Sequence, residues 1–284
     1  MPFSLRRPRR RTVGASLFAA ALVAGVGSAA PPVSAHAAHG DGPKPTVVLV
    51  HGVFADASGW YRTIAALQKA GYPVIAPANP LRDLSGDAAY VSSVLDSIDG
   101  PIILVGHSYG GEVITNAARG NARVRALVYV AAFAPDQGES ALQLAQKFPG
   151  SRLPTALVTR DVPLPDGSTG SDGYIDPATF REVFAADLPA SQTRLMAAAQ
   201  RPGSVGGLAG ASGAPAWKSL PSWYVIPTAD NVIPAAVQRY MAERAHSRTV
   251  EVRGSSHVVM MSHPDVVVRQ IHSADQATRR GVHR

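Results

Sequence analysis

The stretch that decides the fold is Pro101-Ile-Ile-Leu-Val105, followed directly by Gly106-His107-Ser108-Tyr109-Gly110-Gly111. The apolar run predicts a short buried strand, in which proline is tolerated at the first position. A helical pattern begins at about Tyr109, so the G-x-S-x-G sequence lies between a strand and a helix. This context is that of a nucleophile elbow, a sharp turn that projects a serine hydroxyl above the carboxyl edge of a sheet. The flanking glycines let strand and helix approach closely, and Ser108 is therefore the predicted nucleophile.

Strand-like and helix-like segments alternate on both sides of this stretch. Strands are predicted at residues 46–50, 74–76, 101–105, 126–130, 223–226 and 249–252. Helices are predicted at about 60–70, 87–98, 109–119, 235–245 and 264–273. This alternation predicts an α/β fold, with a mostly parallel sheet that is flanked by helices on both faces.

Residues from about 136 to 216 interrupt the alternation. They are rich in Pro, Gly, Ser and Asp, with helical patches near 142–148, 180–184 and 191–200. We interpret this segment as a cap inserted into a catalytic domain that spans residues 43–275. Residues 276–284 are then a C-terminal tail.

The net charge of +7 is concentrated at the N-terminus. Five arginines and no acidic residue lie within residues 1–37, so the remainder has 22 basic and 20 acidic side chains. This near balance gives no electrostatic footprint for nucleic acid. The absence of cysteine excludes a disulfide framework, a cysteine-ligated metal and a thiol nucleophile.

The first 37 residues have the three parts of a secretory signal peptide. The arginines precede an apolar run at 13–26, and Ala35-His36-Ala37 fits a cleavage site for signal peptidase. The run is short for a membrane span and rich in Gly and Ala. We therefore expect a secreted or extracytoplasmic protein with no stable membrane anchor after cleavage.

A serine hydroxyl needs a base, and the base an orienting acid. His257 follows the last predicted strand and lies at the same sheet edge as Ser108, whereas His246 belongs to the opposite edge and His263 begins a helix. Two acids also follow strands at the correct edge, Asp230 and Asp136. Spacing favours Asp230 modestly, because each aspartate also has an ordinary role as a helix cap or turn residue.

The oxyanion of an acyl-transfer reaction needs hydrogen-bond donors already in place. The backbone N–H of Tyr109, next to the nucleophile, is one predicted donor. The second is expected from the loop after the first strand, His51-Gly52-Val53-Phe54. Val53 is the first choice there and Phe54 the runner-up.

Several of these segments together resemble the α/β-hydrolase superfamily, and more narrowly its plant methylesterase and hydroxynitrile lyase branch. They are Val50-His51-Gly52, Leu104 to Gly111, Val130 to Asp136, Asp230 to Gln238 and Ser256 to Pro264. The resemblance covers nearly all of residues 46–271 except the cap. It implies an α/β-hydrolase fold and favours Asp230 as the acid. The reaction expected of a serine, histidine and aspartate triad needs no metal or organic cofactor.

One departure from the branch affects the expected reaction. Its hydroxynitrile lyases carry a lysine directly after the catalytic histidine, and this chain has Val258. We therefore expect a serine carboxylesterase acting on a small-molecule ester. Other acyl chemistry on the same triad (amide or lactone hydrolysis, acyl transfer or perhydrolysis), a hydroxynitrile lyase and a non-catalytic binding protein remain alternatives.

The substrate is expected to contact the cap. Candidate pocket residues, each equally suited to packing, are Phe148, Tyr174, Phe180, Phe184, Leu188 and Met196. Their apolar character favours acyl or aromatic groups over sugars or phosphates. The sequence does not determine the oligomeric state.

Overall fold

A computed structural model of the protein describes residues 43–281, and its central element is a parallel sheet of six strands. In chain order the strands are β1 (Thr46–Val50), β2 (Val74–Ile75), β3 (Ile102–His107), β4 (Val124–Val130), β5 (Leu157–Pro163), β6 (Thr169–Ile175), β7 (Gly203–Ser204), β8 (Ser222–Pro227) and β9 (Arg248–Val252). The central sheet has the order β2-β1-β3-β4-β8-β9, and every neighbouring pair is parallel.

Eleven α-helical segments occur in the described residues. They are α1 (Tyr61–Lys69), α2 (Leu84–Asp96), α3 (Tyr109–Ala117), α4 (Ala141–Ala145), α5 (Leu153–Ala156), α6 (Phe180–Phe184), α7 (Ala190–Ala199), α8 (Val205–Leu208), α9 (Ala235–Arg244), α10 (Val259–Ser262) and α11 (Pro264–Gly281). The predicted fold class is confirmed, because helices alternate with parallel strands outside the region between β4 and β8.

The interior strands lie in the core because their side chains are apolar on both faces. Val47, Val48, Leu49 and Val50 are completely buried, and β3 is buried along its whole length. Burying one such side chain stabilises the fold by roughly 1.5–3 kcal/mol. β3 also extends to His107, two residues beyond the predicted strand, so it leads directly into the turn at Ser108.

Helix α2 begins three residues before its predicted start. The side chain of Asp83 accepts a hydrogen bond from Gly86 N–H and caps the helix. This capping satisfies one of the donors that every helix N-terminus leaves free. Sequence periodicity alone does not include this first turn, because Leu84 is followed by Ser85 and Gly86, which favour turns as readily as helices.

The inserted segment between β4 and β8 contains helices α4 to α8 and a second sheet with the antiparallel order β5-β6-β7. Each predicted helical patch contains a helix, although α4 ends at Ala145. The small sheet was not predicted, because the side chains of β5 are mostly exposed and lack an alternating apolar pattern.

The last helix continues past the predicted end of the domain. Within the predicted tail 276–284, residues up to Gly281 are helical. Tyr72 Oη donates to Asp275 Oδ2 at 2.8 Å, and Arg279 pairs with Asp275 one turn later, so these contacts extend α11. The predicted signal peptide 1–37 lies outside the described residues. Among residues 43–281, no helix has the length and apolar character needed to cross a membrane.

Candidate active site

Ser108 occupies a sharp turn between β3 and α3. Its φ of 55° and ψ of −127° are unusual for a residue with a side chain, and strain of this kind is typical of functional turns. The glycines on both sides are required for space. A Cβ atom on Gly106 would lie 2.5 Å from Gly110 O, and one on Gly110 would lie 2.5 Å from Val50 O. The predicted strand–turn–helix context of the elbow is therefore present.

His257 and Asp230 form a buried hydrogen bond, with 2.8 Å between Nδ1 and Oδ2. Asp230 Oδ1 accepts hydrogen bonds from the backbone N–H groups of Val232 and Ile233, at 2.8 and 2.9 Å. Gln238 Nε2 donates to Asp230 Oδ2 at 2.9 Å. Because all these partners donate, the aspartate is held as an acceptor and directs the Nδ1 proton of His257 towards itself.

The other ring nitrogen of His257, Nε2, is buried and has no hydrogen-bond partner among the described residues. With the Nδ1 proton engaged by Asp230, Nε2 carries a lone pair. This is the tautomer that a general base requires.

His107, the residue before Ser108, supports the main chain of His257. Its Nε2 donates to His257 O at 3.0 Å, and the two rings lie 4.7 Å apart. Burial lowers the pKa of His107 well below its ordinary value, and the nearby His257 lowers it further. His107 is therefore a neutral donor at neutral pH. The sequence analysis did not assign this role, and the position of His107 inside the elbow was the available signal.

The loop after β1 packs against the elbow. A Cβ atom on Gly52 would lie 2.6 Å from Ser108 Cβ and 3.0 Å from Tyr109 N, so this approach requires glycine. Phe54 N–H already donates to Arg201 O at 2.9 Å, so Val53 N–H is the better candidate for an oxyanion donor in this loop, which we term the oxyanion loop. Tyr109 begins α3, and its N–H is one of the donors that the helix itself does not use.

His51 holds the same loop in place. Its Nδ1 donates to Gly52 O at 2.9 Å, and its Nε2 accepts from Asn79 N–H at 3.1 Å. Asn79 Nδ2 also donates to His51 O at 3.0 Å. Burial lowers the pKa of His51, so the neutral ring that this arrangement needs is favoured.

The second candidate acid, Asp136, has a different environment. It pairs with Lys218 Nζ at 2.6 Å and is partly exposed. The hydrogen bond from Lys218 holds the pKa of Asp136 below its ordinary value, although partial burial raises it. The structure therefore brings Asp230, and not Asp136, to His257.

The candidate pocket residues fall into two groups. Phe184 lies 5.1 Å from the His257 ring and Phe180 packs against Phe184, and Leu188 is buried in the loop after them. By contrast, Phe148 packs on Tyr240 of α9, and Tyr174 lies under Arg160 within the cap sheet. The structure does not bring Phe148 or Tyr174 to the site, since the small sheet carries Tyr174 and the end of α4 turns Phe148 towards α9.

Met196 lines a small cavity formed by residues that follow Val53 and His257 in the chain. The cavity has a volume of about 40 Å³ and lies between the oxyanion loop, α7 and α10. Phe54, Met196, Met260 and Met261 give it an apolar side, and Asp56, Ser58 and Gln200 also line it. Methionine side chains adapt to irregular shapes, so this side can adjust to a ligand. Met260 and Met261, just after His257, were not among the predicted pocket residues.

The sequence profile of the Alpha/beta hydrolase family matches residues 47–270. The chain belongs to the alpha/beta hydrolase family. The hydrolase is 43% identical over 115 residues to the Carbendazim hydrolyzing esterase of Nocardioides sp. (strain SG-4G), an alignment that covers 35% of this chain and 47% of the relative. In that alignment the chain therefore spans about half the length of the relative.

Two plant relatives align along most of their length. The hydrolase is 28% identical to Esterase PIR7B of Oryza sativa subsp. japonica, over 78% of this chain and 92% of the relative. It is also 28% identical to Putative methylesterase 19 of Arabidopsis thaliana, over 78% of this chain and 94% of the relative. The predicted resemblance to the plant methylesterase branch is thereby confirmed, and the names of these relatives support an ester-hydrolysing enzyme.

Solved structures agree on the fold. The crystal structure of polyneuridine aldehyde esterase matches with a TM-score of 0.71 at 22% identity, over 81% of this chain and 98% of that one. At this identity the likeness supports the shared α/β-hydrolase fold, which the sequence predicted.

Proposed function

We propose that this hydrolase cleaves carboxylic esters through a Ser108–His257–Asp230 triad and an acyl-enzyme. The observation that carries the proposal is the buried His257–Asp230 hydrogen bond, which leaves His257 Nε2 free to accept a proton. Ser108 lies in the strained turn at the same edge of the sheet. The esterase names of the relatives support the same reaction class.

Each group has one role in the proposed reaction. Ser108 Oγ attacks the ester carbonyl carbon while His257 Nε2 takes the hydroxyl proton. Asp230 keeps the histidine tautomer and stabilises the imidazolium that forms. The backbone N–H groups of Val53 and Tyr109 donate to the oxyanion of the tetrahedral intermediate.

Release of the alcohol and hydrolysis of the acyl-enzyme use the same groups. Imidazolium His257 gives its proton to the leaving alcohol, and the acyl group stays on Ser108. A water molecule then attacks the acyl-enzyme while His257 accepts the proton from that water. Collapse of the second intermediate releases the carboxylic acid and restores the Ser108 hydroxyl.

The proposed substrate presents a small apolar group to the cavity lined by methionines. This cavity adjoins Phe54, directly after the proposed oxyanion donor Val53. Its volume of about 40 Å³ suits a short aliphatic group better than a long chain. Val258, which is fully buried, carries no ammonium group at the position where the related lyases have lysine, and this favours ester cleavage.

The test is hydrolysis of p-nitrophenyl esters from acetate to palmitate by the purified mature protein. We expect activity on short chains, and a loss of roughly 10⁴-fold or more in the Ser108→Ala variant. Ser93→Ala, which removes an exposed hydroxyl on α2, is the matched control and keeps wild-type turnover. Turnover of these esters by Ser108→Ala at the wild-type rate would rule out the proposed nucleophile.

We also propose that the protein is exported and loses residues 1–37. The arginine-rich start, apolar run and small-residue cleavage site support this proposal. N-terminal sequencing of protein recovered from the culture medium and the periplasm is expected to begin at about Ala38. Recovery of only full-length protein inside the cell would contradict export.

A further inference from the structure

A carboxylate on the cap contacts the loop that carries His257. Asp187 lies between α6 and α7. Ser255 Oγ donates to Asp187 Oδ2 at 3.0 Å, and Ser256 Oγ donates to Asp187 Oδ1. Ser255 and Ser256 are buried and directly precede His257. The aspartate therefore binds both residues through which the main chain reaches His257.

The same carboxylate is linked to the far side of this loop through Ser255. The hydroxyl of Ser262, at the end of α10, lies 3.2 Å from Ser255 Oγ. Partial burial raises the pKa of Asp187, but hydrogen bonds from the serine hydroxyls outweigh it and lower the pKa overall. Asp187 is thus an ionised acceptor for Ser255 and Ser256, and Ser255 extends this network to Ser262 beyond His257.

The cap segment that presents Asp187 is itself fixed. Leu188 N–H donates to Ala185 O at 3.1 Å, and Arg181 Nε donates to Leu188 O at 3.2 Å. Phe184 precedes Asp187 by three residues, and its ring packs against the His257 ring with the ring centroids 5.1 Å apart. The cap therefore contacts His257 directly by packing and indirectly through the two serines.

We propose that Asp187 is a positioning residue, which fixes the Ser255–Ser256 segment and thereby the orientation of His257. His257 is then held by three parts of the molecule. Asp230 orients its ring, His107 fixes its carbonyl, and Asp187 fixes the residues before it. The cap in this way helps to assemble the base, in addition to covering the substrate. This inference rests on the proposed role of His257 as the base.

The test measures the reactivity of Ser108 in mature Asp187→Ala, Ser256→Ala and the double variant. A fluorophosphonate probe is used, because it reports on the nucleophile and its base without a matched ester. We expect labelling by Asp187→Ala to be roughly 10- to 100-fold slower, since small errors in the position of a catalytic group have effects of this size. For the best p-nitrophenyl ester, kcat falls with it and KM changes little.

The double variant separates positioning from general damage. If Asp187 acts through Ser256, the double variant is no slower than Asp187→Ala, because the two changes break one interaction. Asp161→Ala removes an exposed carboxylate from β5 of the same cap and keeps the wild-type rate. Multiplying losses in the double variant, or wild-type labelling by Asp187→Ala, would overturn the inference.

Folding is followed by thermal unfolding of every variant. If Asp187→Ala does not fold, Asp187→Asn keeps the shape and one acceptor oxygen, and labelling slower than wild type is expected. Wild-type labelling by both Asp187→Asn and Ser256→Ala would then overturn the inference. Failure of the wild-type protein to label at Ser108 would instead contradict the proposed function itself.

Discussion

The central sheet and the cap hold their parts of the site by different means. In the sheet, Ser108 and Asp230 follow the carboxyl ends of β3 and β8, which are fully buried, and glycines allow backbone segments to touch. His257 follows the edge strand β9, which is mostly exposed. In the cap, β5 is mostly exposed, and the segment meets the rest of the protein through the packing of Phe184 and through individual polar contacts. Arg82 with Asp172 at 2.8 Å is one, and Asp187 with the serines of the histidine loop is another.

This difference predicts that the sheet positions the catalytic groups and that the cap adapts to the substrate. Close packing in the sheet holds atoms within about 0.5 Å, which the proposed triad and oxyanion hole require. The polar contacts of the cap can be exchanged for others with less loss, so the cap can vary with the substrate. The cap reaches the oxyanion loop at several points, among them Phe54 N–H to Arg201 O, Gly203 against Val53, and the ring of Phe184 against that of Phe54.

The largest effect is expected from Asp230, with Asp136 after the neighbouring strand β4 as its matched control. Asp230→Asn should lower kcat by roughly 10⁴-fold, because an amide at this position favours the wrong histidine tautomer. Asp136→Asn, which breaks a partly exposed ion pair of the cap, should leave kcat within about twofold. Steady-state kinetics on one ester measure both. Equal losses in the two variants would show that the site does not depend on the sheet in the way described.

A smaller effect is expected from a single methyl group in the oxyanion loop. Gly52→Ala places Cβ against Ser108 and Tyr109, and should lower kcat by roughly 10²- to 10³-fold by displacing an oxyanion donor. Gly206→Ala in the cap is the matched control, because its Cβ would meet only Ser204 Oγ, at 3.8 Å. Melting temperatures identify any loss of folding. Wild-type kcat in a folded Gly52→Ala protein would contradict the assigned oxyanion loop.

The smallest effect is expected on the free energy of unfolding, from Glu112 at the contact between α3 and α4 of the cap. Glu112 on α3 is buried, its Oε1 accepts from Ala141 N–H of α4 at 3.2 Å, and burial raises its pKa well above the ordinary value. As pH rises above about 4.5, an unfolded chain loses this proton while the folded protein retains it, so the contribution of Glu112 to stability falls until pH passes the folded pKa. Glu112→Gln cannot ionise and avoids this loss.

Unfolding free energies between pH 4 and 9 test this expectation. The stability of Glu112→Gln relative to the wild type should rise with pH, by an amount on the order of 1 kcal/mol. Glu243→Gln, at an exposed position on α9, is the control and should show a flat difference. A relative stability of Glu112→Gln that falls as pH rises would contradict the assigned burial.

The fold and most candidate residues could be predicted because they depend on local rules. The β-branched run at β1, the elbow around Ser108 and the position of His257 after the last strand each follow from a few adjacent residues. The antiparallel sheet of the cap could not be predicted in this way. Its strands are polar and exposed, and their pairing joins residues that local periodicity does not connect.

The sequence by itself determined the α/β-hydrolase fold, the elbow with Ser108 and a short set of candidate bases and acids. Residue type, hydrophobic period and chain order are sufficient for these, since parallel strands bring their carboxyl ends to one edge. Only the tertiary structure decided between Asp230 and Asp136 by contact, and only it joined Asp187 to Ser255 and Ser256 across 68 and 69 positions. Hydrogen bonds depend on distance and direction in space, and those are set by the packing of the whole chain.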